Sequence, residues 1–563
     1  MTACSSRQEC DIIFHNARFH TMDAELNTVN ALVVRDGRIV AAGTREEVQR
    51  EWTAAEQVDL RGTEVFPGFI DAHAHLYGLG EEAVTLQLLG TRSVEEIRSM
   101  LRHHLLDYDG TEWIRGRGWD QNDWSVQQFP DRTDLDAVTT ERPIFFSRID
   151  GHAGWVNSRA LEICGITAET PDPDGGRILR DASGRPTGIL LDNAMELVRS
   201  HIPAPDAAAR RDAYRAAVAR CLATGMTGMH DMGLDEGDIS ALRGLIEEDR
   251  FPFRVVGYVD GRGDTWEAYL KKGRQTIGKQ QLTIAGLKLY ADGALGSRGA
   301  WLLAPYQDDP GNSGIHIIDG DTIAYEAERA LRAGMQVCVH AIGDAAVRTA
   351  LDAYERALQA VPSAPWPLRI EHAQVIDPVD IPRFAALGVL PSMQPTHCTS
   401  DMYWAEARLG SERMRGAYAW KSLVRSGSIV PGGSDFPVER PDPLAGIHAA
   451  AFRMNADGRP SSPDHITSAF AVDPLAPERD ERWENGWYGN ERLSRVEAVR
   501  AFTTWAAAAA GLQDSMGSLE TGKWADFVVL SQDILHVPRE RFLETRVLAT
   551  YVGGKQVFAT AQK

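Results

Sequence analysis

Six residues of this chain combine donor chemistry with telling positions. His73 and His75 close the run Phe66-Pro67-Gly68-Phe69-Ile70-Asp71-Ala72-His73-Ala74-His75. In a strand, positions i and i+2 share a face, so both imidazoles leave the strand end side by side, as two ligands of one metal ion do. Lys288 lies in the apolar stretch Ile284 to Asp292, and His340 and His372 end the runs beginning at Met335 and Leu368. Asp435 closes Ile429-Val430-Pro431-Gly432-Gly433-Ser434-Asp435. Taken singly, each has an ordinary explanation. A histidine can merely end a strand, a lysine can snorkel to solvent, and an aspartate after Gly-Gly-Ser can cap a turn. Together they form a nitrogen and oxygen donor set suited to Zn²⁺ or a similar divalent ion. Such an ion activates water for hydrolysis.

The elements that must position these donors follow from the apolar runs. Candidate strands end near His75, Asp231, Asp260, Tyr290, His340, His372, Gln394 and Asp435. Several of the intervals are near the ~30 residues of a βα unit. Eight such units predict a (β/α)8 TIM-like barrel, an α/β fold whose functional residues sit at the C-terminal strand ends. The interval from His75 to Asp231 is far too long for one unit. It predicts an inserted subdomain over residues 95–219 that covers the site, rich in Trp, Gly and Asp. Both chain ends read as short strands with turns, including the hairpin signal Asp36-Gly37. They predict one small β-sandwich domain from residues 1–66 and 515–563, leaving residues 67–94 and 220–514 for the catalytic barrel.

Composition narrows the partners. The chain has 563 residues, 43% hydrophobic and 25% charged, which is ordinary globular usage divided among two or three domains. A net charge of −20 argues against nucleic acid and anionic membrane surfaces, so a small-molecule substrate is expected. The six cysteines show no CxxC spacing, Met1 to Asp11 carries no apolar core of a signal peptide, and no apolar run reaches a membrane span. A cytoplasmic protein with reduced thiols is expected, with a homodimer as the default assembly.

The motifs carry a resemblance over most of the chain. Pro67-Gly68-Phe69-Ile70-Asp71-Ala72-His73-Ala74-His75, Gly118-Trp119-Asp120-Gln121, Asp150-Gly151-His152-Ala153-Gly154-Trp155-Val156-Asn157, Lys288-Leu289-Tyr290-Ala291-Asp292-Gly293, Ile370-Glu371-His372, Met393-Gln394-Pro395-Thr396-His397 and Gly433-Ser434-Asp435-Phe436-Pro437 resemble the amidohydrolase superfamily. Within it they resemble the YtcJ-like branch that includes N-substituted formamide deformylase. The resemblance implies that His73, His75 and Asp435 bind the more buried metal, and that His340 and His372 bind a second. Lys288 falls where the family carries a bridging carboxylated lysine; a free ammonium has no lone pair to donate. One or two zinc ions are expected, with another divalent metal as the alternative.

The expected reaction is hydrolysis of an amide-type C–N bond, with Asp435 as general base and His397 as hydrogen-bond donor to the carbonyl or oxyanion. His152 is a substrate-contact candidate from the insertion. His230 is a weaker one. Trp119, Trp124, Trp155, Tyr403 and Trp404 are expected to form an apolar pocket over the metals, which points to an apolar or aromatic substrate. The alternatives are ester, carbamate or cyclic-amide hydrolysis by the same site, and a metal-stabilised barrel that only binds a ligand.

Overall fold

The computed structural model describes residues 7–82, 85–107, 113–203, 206–455 and 485–560. Seven parallel strands form the central sheet: β1 (Phe69–Ala74), β2 (Met226–Leu234), β3 (Arg254–Asp260), β4 (Leu282–Tyr290), β5 (Gln336–Ala341), β6 (Arg369–His372) and β7 (Leu390–Ser392). They neighbour one another in chain order. Their residues are almost all buried, as expected for strands covered on both faces. The eighth position belongs to residues 430–435. Ala72 donates its N–H to Gly432 (3.0 Å), Gly433 to Met393 (3.0 Å) and Asp435 to His73 (2.8 Å). That segment therefore joins β7 to β1 and closes the barrel. A Cβ on Gly433 would lie 2.7 Å from the His73 nitrogen, so only glycine permits this approach.

Helices cover the outside. Gly320–Arg332 starts at Asp319, whose carboxylate accepts from the Thr322 N–H, and it buries Ile323, Ala327, Ala330 and Leu331. That is the one-sided spacing of a helix lying on a sheet.

Both chain ends meet in one seven-stranded sheet. Gln8–His20 runs parallel to Trp52–Pro67, and the C-terminal strand Phe527–Leu530 pairs antiparallel with the latter. The predicted hairpin is present, with Asp36 and Gly37 both at positive φ. Alternate residues feed separate cores: Phe14, Phe527 and Tyr551 pack in one, Ile13, Val33 and Trp52 in the other.

The long interval between β1 and β2 holds a six-stranded sheet. Its order is Gly176–Arg180, Pro186–Asp192, Ala153–Val156, Ile144–Arg148, Ile114–Trp119, Leu86–Gln87. Trp119, Trp124 and Trp155 pack together in the core of this unit, with the Trp119 and Trp155 centroids 5.9 Å apart edge to face. Trp119 donates to the Phe146 carbonyl and Trp155 to that of Asp131. The expectation that these three line a substrate pocket is therefore corrected. Their rings pack against one another in the core of the insertion.

Five cysteines are free thiols, and Cys4 lies outside the described residues. Among the described residues no helix is long and apolar enough to cross a membrane.

Candidate metal centre

His73 and His75 lie at the C-terminal end of β1 as the i, i+2 rule requires. The His73 ring is fully buried, whereas the His75 side chain is 36% exposed. His73, His372 and Asp435 each bring one donor atom within 4.8 Å of the others. The Asp435 carboxylate lies 3.5 Å from His73 Nε2 and 3.2 Å from His75 Nε2. Lys288 Nζ is 3.4 Å from His73 Nε2, and the His340 ring is 4.5 Å from that of His372. His340 Nε2 faces Asp292 Oδ1 at 3.4 Å and the Gly293 carbonyl at 3.5 Å. So His73, His372 and Asp435 form the tight group, with His75, Lys288 and His340 around it.

Hydrogen bonds on the far side of each ring decide what points inward. His73 donates from Nδ1 to Glu371 Oε2 at 2.5 Å. His372 donates from Nδ1 to Gln394 Oε1 at 2.8 Å. Both Nε2 lone pairs are thereby left for the centre. Glu371 is held in turn by Arg369, 2.8 Å away. Arg369 also donates to the Ala72 carbonyl, Ser392 Oγ and His230 Nδ1. His230 is therefore part of this buried support and does not reach the cavity. Asp71 ties β1 to the closing segment by accepting from the His73 N–H and from the Ser434 N–H and hydroxyl. Two of the three central residues, His372 and Asp435, have positive φ, at 71° and 58°. Such backbone conformations concentrate at functional sites.

Electrostatics prepares these groups as ligands. Burial, and then the Lys288 charge, push the His73 imidazole down to about 4. Burial also pushes His340 and His372 well below the usual range. All three are neutral at neutral pH, as ligation requires. Burial opposes ionisation of Asp435, but His73 and His75 outweigh it and hold the carboxyl well below its ordinary value. Asp435 Oδ1 is buried with no hydrogen-bond partner among the described residues. An unpaired anionic oxygen beside two imidazole nitrogens fits a divalent cation. His73, His372 and Asp435 would hold it, with His75, Lys288 and His340 in reach.

The donors lie at the floor of a cavity of about 700 Å³ walled by barrel and insertion, within the usual size for small-molecule sites. His397 lines it, with Nε2 buried and unpartnered 3.9 Å from Asp435 Oδ2. His152 enters from the insertion, its Nδ1 2.7 Å from Asp192 Oδ1 and its ring 5.5 Å from His340. Tyr403 and Trp404 are also on the wall; the Tyr403 hydroxyl donates to Asp123 at 2.7 Å. The wall is far more charged than expected, with Arg117, Arg148, Asp150, Asp192 and Arg262 on it. Sequence reasoning missed Glu371 and Arg369 behind His73, and Arg117 on the cavity wall. A signal existed for the first two: opposite charges two apart in the short apolar run before His372.

A barrel with such donors at its C-terminal mouth is the architecture of metal-dependent hydrolases. Comparison with known proteins agrees. A model of the amidohydrolase family matches residues 56–558. The chain is 33% identical to YtcJ of Bacillus subtilis (strain 168), over 97% of this chain and 99% of that one. It is 28% identical to N-substituted formamide deformylase of Arthrobacter pascens, over 97% of both. The crystal structure of an uncharacterized metal-dependent hydrolase from Pyrococcus horikoshii OT3 superposes with a TM-score of 0.73 at 28% identity, covering 94% of this chain and 99% of that one. The chain belongs to the amidohydrolase family and is a metal-dependent hydrolase of the class that acts on carbon–nitrogen bonds.

Proposed function

We propose that this enzyme hydrolyses an amide-type C–N bond of a small molecule, using one or two zinc ions held by His73, His75, Lys288, His340, His372 and Asp435. The observation that supports it most is the unpaired Asp435 oxygen beside two inward-facing imidazole nitrogens at the floor of the cavity. When bound, a divalent cation supplies the charge that activates water and polarises a carbonyl. Asp435, ionised at neutral pH, takes the proton of the attacking water and returns it to the leaving amine. His397 directs its unpartnered Nε2 to the carbonyl oxygen as negative charge develops there. His152, held by Asp192, contacts the substrate from the opposite wall. When the cation is bound, Lys288 would serve as a carbamate, offering it an anionic oxygen in place of the ammonium of the metal-free protein. On this reading the terminal sheet forms the β domain, the strands from Phe69 to the closing segment 430–435 form the barrel, and the insertion, whose sheet already includes Leu86–Gln87 and so begins before the expected residue 95, is the cover that selects the substrate.

The test is zinc-loaded enzyme against a panel of N-substituted formamides and other amides. Turnover is expected to vanish on chelation, to return with zinc, and to be lost in His73→Ala. Hydrolysis that persists in metal-free protein would overturn the reading. Mass spectrometry of a tryptic peptide under non-acidic conditions reads the Lys288 carbamate directly.

A further inference from the structure

The cavity wall can be sorted charge by charge. Arg148 is clamped between Asp120 and Asp150. Arg262 pairs with Asp260 at 2.7 Å and Arg199 with Glu196 at 3.1 Å. Asp192 holds His152, Asp123 accepts from Tyr403, Asp401 accepts from Tyr418 and Gln374, and Glu439 accepts from Ser400. Among the described residues one arginine of the wall is left without a carboxylate partner.

That residue is Arg117. Among the described residues no carboxylate lies within the 4.0 Å of an ion pair with it. Of its five N–H donors, one reaches the Ile149 carbonyl at 2.7 Å. Its Nε is buried and unpartnered. The side chain is carried by a strand, with the Arg117 carbonyl accepting from Leu88 at 2.7 Å and residue 117 in register with Ser147, so its position does not depend on a loose loop. Burial works against its charge, and the Asp435, Glu82 and Asp150 carboxylates support it from beyond ion-pair distance. Arg117 lines the same cavity as the ligand cluster. Arg117 is half-buried, and a planar guanidinium with free donors matches a carboxylate in two parallel hydrogen bonds.

We propose that Arg117 anchors a carboxylate of the substrate, so that the preferred substrates are amides bearing an acid group at the end remote from the scissile bond. This rests on the amide-hydrolase reading above. It also replaces the apolar substrate expected from the aromatic residues, of which Trp119, Trp124 and Trp155 lie in the core of the insertion.

The test uses full-length zinc-loaded enzyme and N-formyl ω-amino acids of graded chain length, each paired with the N-alkylformamide lacking the acid. In at least one pair the acid is expected to have the higher kcat/KM, by about tenfold or more. Arg117→Met or Arg117→Gln should bring that ratio toward one, and Arg117→Lys should restore part of it. Equal kcat/KM for acid and neutral compounds in every pair would overturn the proposal, and so would a ratio that survives in a folded, zinc-replete Arg117 variant. If no formamide is hydrolysed, the amide reading fails separately and the subsite is read by calorimetry with phenylacetate against phenylacetamide. Tighter binding of phenylacetate that is lost in Arg117→Gln supports the anchor. Binding that is equal for the two ligands, or unchanged in the variant because the metal holds the acid, overturns it.

Discussion

Among the described residues two places gather three potential metal ligands within 4.8 Å: His73, His372 and Asp435 in the barrel mouth, and His20, Glu64 and Asp533 at the terminal sheet. Both mix imidazole and carboxylate, two histidines to one carboxylate in the first and one to two in the second; the larger difference is in the use of the lone pairs. In the barrel, Glu371 and Gln394 take the far nitrogens of the imidazoles, so the other nitrogens face the centre, where His73 Nε2 meets Lys288 Nζ at 3.4 Å. At the sheet, His20 Nε2 itself bonds Glu64 at 2.7 Å, and Asp533 already accepts from Arg18, His536 and the Leu535 N–H. His20 is further occupied by stacking on Phe66, centroids 4.2 Å apart. The first group keeps its donors for a missing partner, whereas the second has satisfied them internally. A metal centre is recognised by what supports the ligands more than by the ligands.

The largest expected effect tests that contrast directly. Asp435→Asn should lower turnover by about 10³-fold and reduce bound zinc, measured by steady-state kinetics and elemental analysis. The paired change His20→Gln with Asp533→Asn should leave both readings where they were. Zinc lost from the second variant would break the comparison.

Next in size is the support behind His73. Glu371→Gln replaces the anionic acceptor behind the ring with a weaker neutral one and leaves Arg369 buried without its counter-charge. Zinc affinity should weaken by about 10- to 100-fold in competition with a chromophoric chelator. Stability should fall by about 3 kcal/mol in denaturant unfolding. Glu64→Gln, the matching change at the sheet, should not alter zinc affinity.

The two groups should also differ with pH. His73 is pushed down to about 4 by burial and the Lys288 charge, against about 6.5 for a free imidazole. The unfolded chain takes up a proton that the metal-free native state refuses. Its contribution to stability is thus fully present above about pH 6.5 and is lost as pH falls toward about 4. Unfolding of chelated protein across that window checks the slope, which His73→Gln should reduce.

The smallest effect belongs to the outer group. Asp533 is opposed by burial, but its bonds with His536 and Leu535 outweigh this and hold its carboxyl below the ordinary value. A depressed aspartate stabilises above its unfolded pKa, near 3.9, and the gain is lost as pH falls through the folded value. Arg18 and His536 are largely exposed, so solvent screens them. Asp533→Asn should cost no more than about 1 kcal/mol at neutral pH, shrinking toward zero in acid, measured by thermal melts.

Much of the barrel was legible because its strands are buried on both faces and therefore read as apolar runs, each ended by a polar residue. His73, His340 and His372 fall at such ends, and Asp435 at the segment that closes the ring. The tryptophans of the insertion were misread because aromatic density does not tell a core from a cavity wall: Trp119 and Trp155 turn their N–H groups to backbone carbonyls of their own unit. Glu371 was overlooked because its role depends on His73, 298 residues away in sequence.

The sequence by itself determined the donor residues, the repeating strand–helix order and the long interruption after the first strand, since these follow from residue type and periodicity along one dimension. Only the tertiary structure decided which nitrogen of His73 and His372 faces inward, that His20, Glu64 and Asp533 are satisfied by neighbouring protein groups, and that Arg117 has no carboxylate at ion-pair distance among the described residues. Those are properties of lone pairs and distances between residues far apart in the chain, and they exist only once the backbone has closed around them.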